Sequence, residues 1–306
     1  MKETPPAARP SPCRLWFMVL LGISAISAAS ILVRLAEAPS ISIAAYRVTI
    51  ASLVLTPFYA AGRRSGRHRV DHRTAGFILL AGVFLAFHFF LWIRSLSFTS
   101  VASSATLTGT TPLFTVLFSC LWLKERPGKR ILPGILCTLA GSTLVAGTDF
   151  SFSARALQGD FLALGGALMA SGYFLAGRVA RRSADLCAYT FGAYGTAAVV
   201  LLACALLTGT PLYGFSPGTY VVLLLLALIP QLIGHTTFNW TLRFLSPSTV
   251  SVLVLGEPVG ATFLAYLVLN EAVPLLRGVG LLILCLGILL SAQAEPQPTA
   301  KPPGPA

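Results

Sequence analysis

The sequence predicts an all-α polytopic membrane protein, with ten transmembrane helices arranged as two inverted five-helix repeats. Three observations carry that prediction. Hydrophobic residues fill 55% of the 306 positions and charged residues only 10%, against roughly a quarter charged in a soluble domain. The basic residues are concentrated in alternate loops between the apolar runs. A set of proline, glutamate and glycine positions recurs at a fixed spacing of 146 residues.

The apolar runs divide into ten segments of about 20 residues, the length that crosses a hydrocarbon core of about 30 Å. Lipid offers the backbone no hydrogen bonds, so such segments must be helices or a closed barrel. Continuous runs such as Tyr220 to Ile229 fit helices, since barrel strands alternate in polarity. The first span, 14–35, is followed by Ala36-Glu37-Ala38, which loosely resembles a secretory cleavage site. It is nevertheless long enough to cross, and another span starts at 40, so it is read as a retained helix. The second span, 40–61, carries Arg47. The third, 74–97, follows a basic loop and holds His88 and Trp92. The fourth, 100–123, contains Pro112, and the fifth, 131–147, contains Gly134 and Gly141. The sixth to eighth are 157–179, 187–208 and 218–241. The ninth, 246–269, includes Glu257-Pro258, and the tenth is 273–293. The tails, 1–13 and 295–306, are rich in proline and polar residues and are expected to be disordered.

With the N-terminus placed in the cytoplasm, seventeen Lys and Arg residues fall in the inner segments. Only Arg34, Arg94, Arg155 and Arg277 fall outside, and Arg47 lies within a span. This bias places both termini in the cytoplasm of a multi-pass protein of the cell membrane and requires an even number of crossings. Because the net charge of +12 is a topology signal of this kind, nucleic acid is not expected as a partner. The six cysteines (Cys13, Cys120, Cys137, Cys187, Cys204 and Cys285) have no metal-ligand spacing.

Pro112, Glu125, Gly134 and Gly141 recur at Pro258, Glu271, Gly280 and Gly287, and Leu96, Phe98 and Ser100 recur at Leu242, Phe244 and Ser246. Gly22, Ser27 and Arg34 recur at Gly166, Ser171 and Arg178, at an offset of 144. Since each copy holds an odd number of helices, the second enters the bilayer from the opposite side, which makes residues 14–147 and 157–293 an inverted pair. Related halves of this kind can pack in two near-equivalent ways, the architecture of many secondary transporters.

Several of these motifs also resemble the EamA-type branch of the drug/metabolite transporter superfamily. Ala45-Tyr46-Arg47 resembles its arginine-bearing second helix. Thr111-Pro112-Leu113-Phe114 with Leu123-Lys124-Glu125-Arg126 resembles its Pro-then-Glu fourth helix. Gly256-Glu257-Pro258-Val259 with Leu269-Asn270-Glu271 resembles the matching stretch of helix nine. The resemblance runs from about Arg14 to Ala292. It implies ten helices, both ends cytoplasmic, a central cavity between the halves lined by helices three, four, eight and nine, and transport of amino acids, nucleotide sugars, other metabolites or drugs.

Candidate working residues follow from the cost of polar groups in lipid. Glu257, deep in helix nine, reads either as a proton or cation site or as a structural carboxylate beside the break made by Pro258. Pro258 and Pro112 each lack an N–H and should free the carbonyls of Val254 and Thr108, kinking their helices. Arg47 reads either as an anion-binding group or as half of an internal clamp, with Glu257 as a candidate partner. Gln231, His235 and Asn239 recur at i, i+4 and i+8, forming one polar stripe if helix eight is α-helical. His88 and Trp92, Thr106 and Thr110 with Ser103, and Tyr173 complete the expected cavity lining, with helix–helix hydrogen bonding as the alternative for the hydroxyls. Glu125 and Glu271 are expected to mark helix ends. His68 and His72 lie in the basic loop with no acidic or Cys partner apparent, and are read as solvated.

These features predict a secondary carrier of a small organic solute, neutral or zwitterionic with an apolar or aromatic portion, working by alternating access and outward. No GxxxxGK[ST] motif is present, and no cofactor or metal is expected. A coupled proton through Glu257 and movement without one are both open, and the oligomeric state is not specified. The rival readings are a polytopic enzyme acting on lipid-linked substrates and a membrane scaffold or sensor. For the enzyme, the loop Arg63–Arg73 offers only Asp71 as an acid.

Overall fold

A computed structural model describes residues 10–66, 68, 70–99, 101–124, 128, 131–146, 153–269 and 274–293. All regular structure among them is helical. Glu125, Glu271 and the tail residues 1–9 and 295–306 lie outside the described residues. In chain order the helices are α1 (Pro12–Leu35, interrupted at Ala28), α2 (Ser40–Arg64), α3 (His72–Ser95), α4 (Val101–Thr108, Thr111–Phe118 and Ser119–Leu123), α5 (Ile131–Ala146), α6 (Ala154–Ala180), α7 (Leu186–Leu207), α8 (Pro217–Thr241), α9 (Pro247–Val254 and Glu257–Leu269) and α10 (Leu275–Gln293). Nine are long and apolar enough to cross a membrane, and α5 is shorter. Helix α1 starts at Pro12, two residues inside the segment expected to be disordered.

Local sequence sets the helix starts. Ser11, Ser216 and Ser246 each precede a proline, and each serine side chain accepts a hydrogen bond from the backbone N–H three residues on. Proline costs nothing in a first turn, where its missing N–H would have no intrahelical partner, and the serine satisfies one of the remaining free donors. Asp71, Ser153 and Asp185 cap α3, α6 and α7 in the same way.

The packing of the ten helices repeats its own pattern. Helix α1 packs on α8 and α9, as α6 packs on α3 and α4. Helix α2 packs on α7 and α8, as α7 packs on α2 and α3. The pairs α4–α9 and α5–α10 map onto themselves. For these contacts, exchanging each helix for the one five places along returns the same neighbours, a two-fold relation between the halves that the packing of α9 on α6 and α5 does not share. Large apolar side chains such as Phe17, Leu53, Phe161, Leu206 and Leu282 are left on the outer surface, where lipid covers them.

The recurrent glycines form the closest of these contacts. A Cβ on Gly287 would lie 2.5 Å from the Thr138 nitrogen and 2.6 Å from the Gly134 carbonyl oxygen. One on Gly280 would lie 2.8 Å from the Val145 nitrogen and 2.9 Å from the Gly141 oxygen. Lipid tails are as apolar as leucine, so helices associate in a bilayer largely through close backbone approach at small residues. Gly256 and Gly260 serve α9 in the same way, lying against Ile23 and Ser27 of α1.

Gly287→Ala should force α5 and α10 apart and lower stability by about 1–3 kcal/mol. Gly76→Ala on α3, where a Cβ meets nothing within 4 Å, should not. Thermal unfolding of the two variants in detergent checks the difference.

Candidate functional site

Breaks in three helices shape the centre. In α4 the helix stops at Thr108 and restarts at Thr111-Pro112, and in α9 it stops at Val254 and restarts at Glu257-Pro258, at equivalent positions of the repeat. The Thr111 hydroxyl donates to the Thr108 carbonyl at 2.7 Å, satisfying the acceptor that Pro112 leaves free. In α8 the break takes a different form. Pro230 cannot donate to the Leu226 carbonyl, and from Ala227 to His235 the helix widens to i→i+5 hydrogen bonding, with the Thr236 N–H reaching Gln231. The i, i+4, i+8 geometry expected for α8 therefore does not hold. Gln231 and Asn239 are fully buried, whereas His235 is half-buried and has aromatic neighbours.

Arg47 on α2 is 1% exposed and donates through Nε to Gln231 Oε1 at 2.8 Å. Its guanidinium carbon lies 4.1 Å from the Phe89 ring centre, within cation–π range. Phe89 meets His235 edge-on at 5.2 Å, and Tyr173 lies 6.4 Å from the same imidazole. The Tyr173 hydroxyl donates to Asn239 Oδ1 at 2.7 Å, and Asn239 Nδ2 donates to the Tyr194 hydroxyl at 3.2 Å. Tyr194 in turn lies 3.1 Å from the Thr236 hydroxyl and 3.5 Å from the Gln231 carbonyl. His88 Nδ1 lies 2.9 Å from the Gly166 carbonyl, which can only accept, so this nitrogen carries the hydrogen. Its ring stacks toward Trp92 with centres 6.4 Å apart.

Of the residues expected at the site, Arg47, His88, Trp92, Tyr173, Gln231, His235 and Asn239 thus form one connected cluster, drawn from α2, α3, α6 and α8. Thr106 and Thr110 do not join it: the Thr110 hydroxyl donates to Leu107 in its own helix. Glu257 lies within electrostatic range of Arg47, but no ion pair within 4.0 Å links them. The ion pair found among the described residues is His68–Asp185, so the partner of Arg47 is Gln231. The Ser27 hydroxyl donates to the Ile23 carbonyl of its own helix at 2.7 Å and also lies 3.2 Å from the Glu257 backbone carbonyl. An open recess of about 510 Å³ lies on the apolar outer surface between α3 and α6, beside Leu91, Leu157 and Phe161.

Several residues escaped the sequence reading. Phe89 and Tyr194 complete the cluster; their only signal was an aromatic beside His88 and a phenol among the small residues of α7. Arg178 and Arg181, counted above as loop charges, are clamps on the end of α8. Arg181 is 2% exposed and donates to the Asn239 and Ala184 carbonyls, and Arg178 donates to Leu242 and Leu245. His68 is not solvated. Its Nδ1 lies 2.6 Å from Asp185 Oδ2, and its ring stacks on Tyr59, which stacks on Phe191.

The family model for EamA-like transporters matches residues 14–147 and, a second time, residues 157–293. The chain belongs to this family. An uncharacterized transporter of Archaeoglobus fulgidus is 25% identical to this EamA-like transporter over 72% of the chain and 76% of its own length. One of Clostridium kluyveri is 22% identical over 79% and 80%. A solved crystal structure superposes with a TM-score of 0.76, covering 93% of this chain and 98% of its own, at 21% identity; that likeness shows the fold alone. The two-repeat membrane fold and the general role of transporter follow from the family.

Asn239→Ala should remove the common partner of the Tyr173 and Tyr194 hydroxyls and destabilise this EamA-like transporter by about 1–3 kcal/mol. A double-mutant cycle with Tyr173→Phe, followed by thermal unfolding in detergent, should give a coupling of about 0.5–3 kcal/mol.

Proposed function

We propose that the chain is a secondary carrier that moves a small organic solute with an apolar or aromatic portion across the cell membrane, by alternating access and in the outward direction. Both termini are cytoplasmic in this reading, and residues 14–147 and 157–293 are the two halves that rock about the bound solute. The observation that carries it is the buried polar and aromatic cluster formed where the halves meet, by Arg47, His88, Phe89 and Trp92 from the first and Tyr173, Tyr194, Gln231, His235 and Asn239 from the second. Solute sites are mostly apolar with a few placed polar groups, and polar groups are held deep in a bilayer chiefly where they serve a pathway. Helices α4, α8 and α9, broken beside this cluster, supply the places at which a half can flex.

Counterflow of labelled solute in proteoliposomes tests the carrier directly. Trp92→Ala and Asn239→Ala should each lower the exchange rate, by about tenfold where a hydrogen bond or ring contact worth about 1.4 kcal/mol is lost. Unchanged transport of every accepted solute by both variants would remove the site assignment. Right-side-out and inverted vesicles distinguish outward from inward movement, and an imposed pH gradient tests whether a proton, with Glu257 as its carrier, is coupled. Cysteines introduced at Lys129 and Arg277 should label from opposite faces of the membrane, and labelling from one face would overturn the inverted topology.

A further inference from the structure

We propose that Arg47 and Gln231 form a two-donor fork that binds a carboxylate, so that the transported solute is a monocarboxylate or a zwitterion bearing one. This rests on the carrier reading above and narrows its solute class.

The bond from Arg47 Nε to Gln231 Oε1 at 2.8 Å fixes which way the amide faces. Its acceptor is used, and its donor, Nε2, is turned elsewhere. Both Gln231 Nε2 and Arg47 Nη1 are buried and have no hydrogen-bond partner, on side chains that are 0% and 1% exposed. An ammonium group would bring only further donors and a like charge to this place. What the pair lacks is an acceptor with two lone-pair directions and a negative charge, and a carboxylate supplies both in a single planar group. A phosphate would bring more oxygens and more charge than one guanidinium and one amide answer.

The surroundings agree with this polarity. Phe89 covers one face of the guanidinium at 4.1 Å, so a ligand must approach its nitrogen edge, where Nη1 lies. Tyr173, Tyr194, His88 and His235 also face the cluster, and none of them carries a carboxylate. Among the described residues, Glu257 is the acid within electrostatic range of Arg47, and it is not in ion-pair contact with it. The guanidinium charge is therefore not cancelled by direct contact with a protein carboxylate. Phe89, His235 and Tyr173 then form a wall against which the remainder of a carboxylate-bearing solute packs.

The test uses the full-length purified protein and three matched acid and amide pairs: phenylacetate with phenylacetamide, isovalerate with isovaleramide, and phenylalanine with phenylalaninamide. At least one acid should raise the thermal midpoint, while its amide binds about 10- to 100-fold more weakly, the worth of one or two charge-assisted hydrogen bonds. Because Arg47→Ala can fail to fold, the decisive variant is Gln231→Glu. It keeps an oxygen for Arg47 Nε but replaces the Nε2 donor with a charged acceptor, and it should stay folded while losing acid binding. Three results would overturn the fork: no acid stabilises the wild type, amides bind as well as acids, or Gln231→Glu binds acids unchanged. Counterflow on the same preparation separates the two ideas. Equal exchange of acids and amides removes the fork and leaves the carrier, whereas binding of acids with no exchange of any solute removes the carrier and leaves the fork.

Discussion

Hydrocarbon offers no hydrogen bonds, and nearly every irregular feature of this protein is a response to that fact. A helix crossing lipid can be broken only where something else satisfies the freed backbone groups. In α4 and α8 nearby groups of the chain itself meet this condition. The Thr111 hydroxyl takes up the carbonyl left free in α4. Ser27 of α1 reaches the backbone at the restart of α9. The widened turn of α8 re-forms its bonds one residue further along, with Tyr194 and Thr236 beside the Gln231 carbonyl. The breaks cluster in the interior because only there can such groups reach them.

The same constraint explains the company that Arg47 keeps. A guanidinium far from either helix end cannot extend to water, so its charge must be met by protein. The chain meets it with the face of Phe89 and one amide oxygen rather than with a carboxylate. This choice leaves the group charged and incompletely bonded, whereas a direct ion pair would have neutralised it. Around it, Tyr173, Asn239 and Tyr194 form a hydrogen-bonded chain that fixes the Asn239 orientation, and Arg181 holds the Asn239 carbonyl from below. The cluster is thus rigid at its ends and underused at Arg47.

Much of the fold was legible in the sequence because it follows from additive properties. Span lengths depend on summed hydropathy, and the two-fold packing was visible as prolines and glycines in register. The glycines at 134, 141, 280 and 287 could be matched before anyone knew that they touch across α5 and α10. The central residues were legible as a group, since polar side chains in apolar runs stand out. Their pairings were not. For Arg47 the sequence left an anion-binding role and an internal clamp open, with Glu257 as a candidate partner, and three-dimensional placement gave it Gln231. The stripe on α8 assumed one helical period throughout, and Pro230 changes that period mid-helix. Phe89 and Tyr194 carried no mark distinguishing them from other aromatics, and the pairing of His68 with Asp185 joins loops 117 residues apart in the chain.

That last contact has a counterpart. Where the α2–α3 loop reaches the start of α7, His68 grips Asp185. At the position related to it by the repeat, the α7–α8 loop reaches the start of α2, and there the hydroxyls of Ser42 and Tyr46 hold the carbonyls of Pro211 and Leu212 at 2.6 and 2.7 Å. Related places in the two halves are thus tied by unlike chemistry, one through an imidazole and a carboxylate and the other through hydroxyls and backbone carbonyls, so the ends of the bundle are not chemically interchangeable although the repeat relates them.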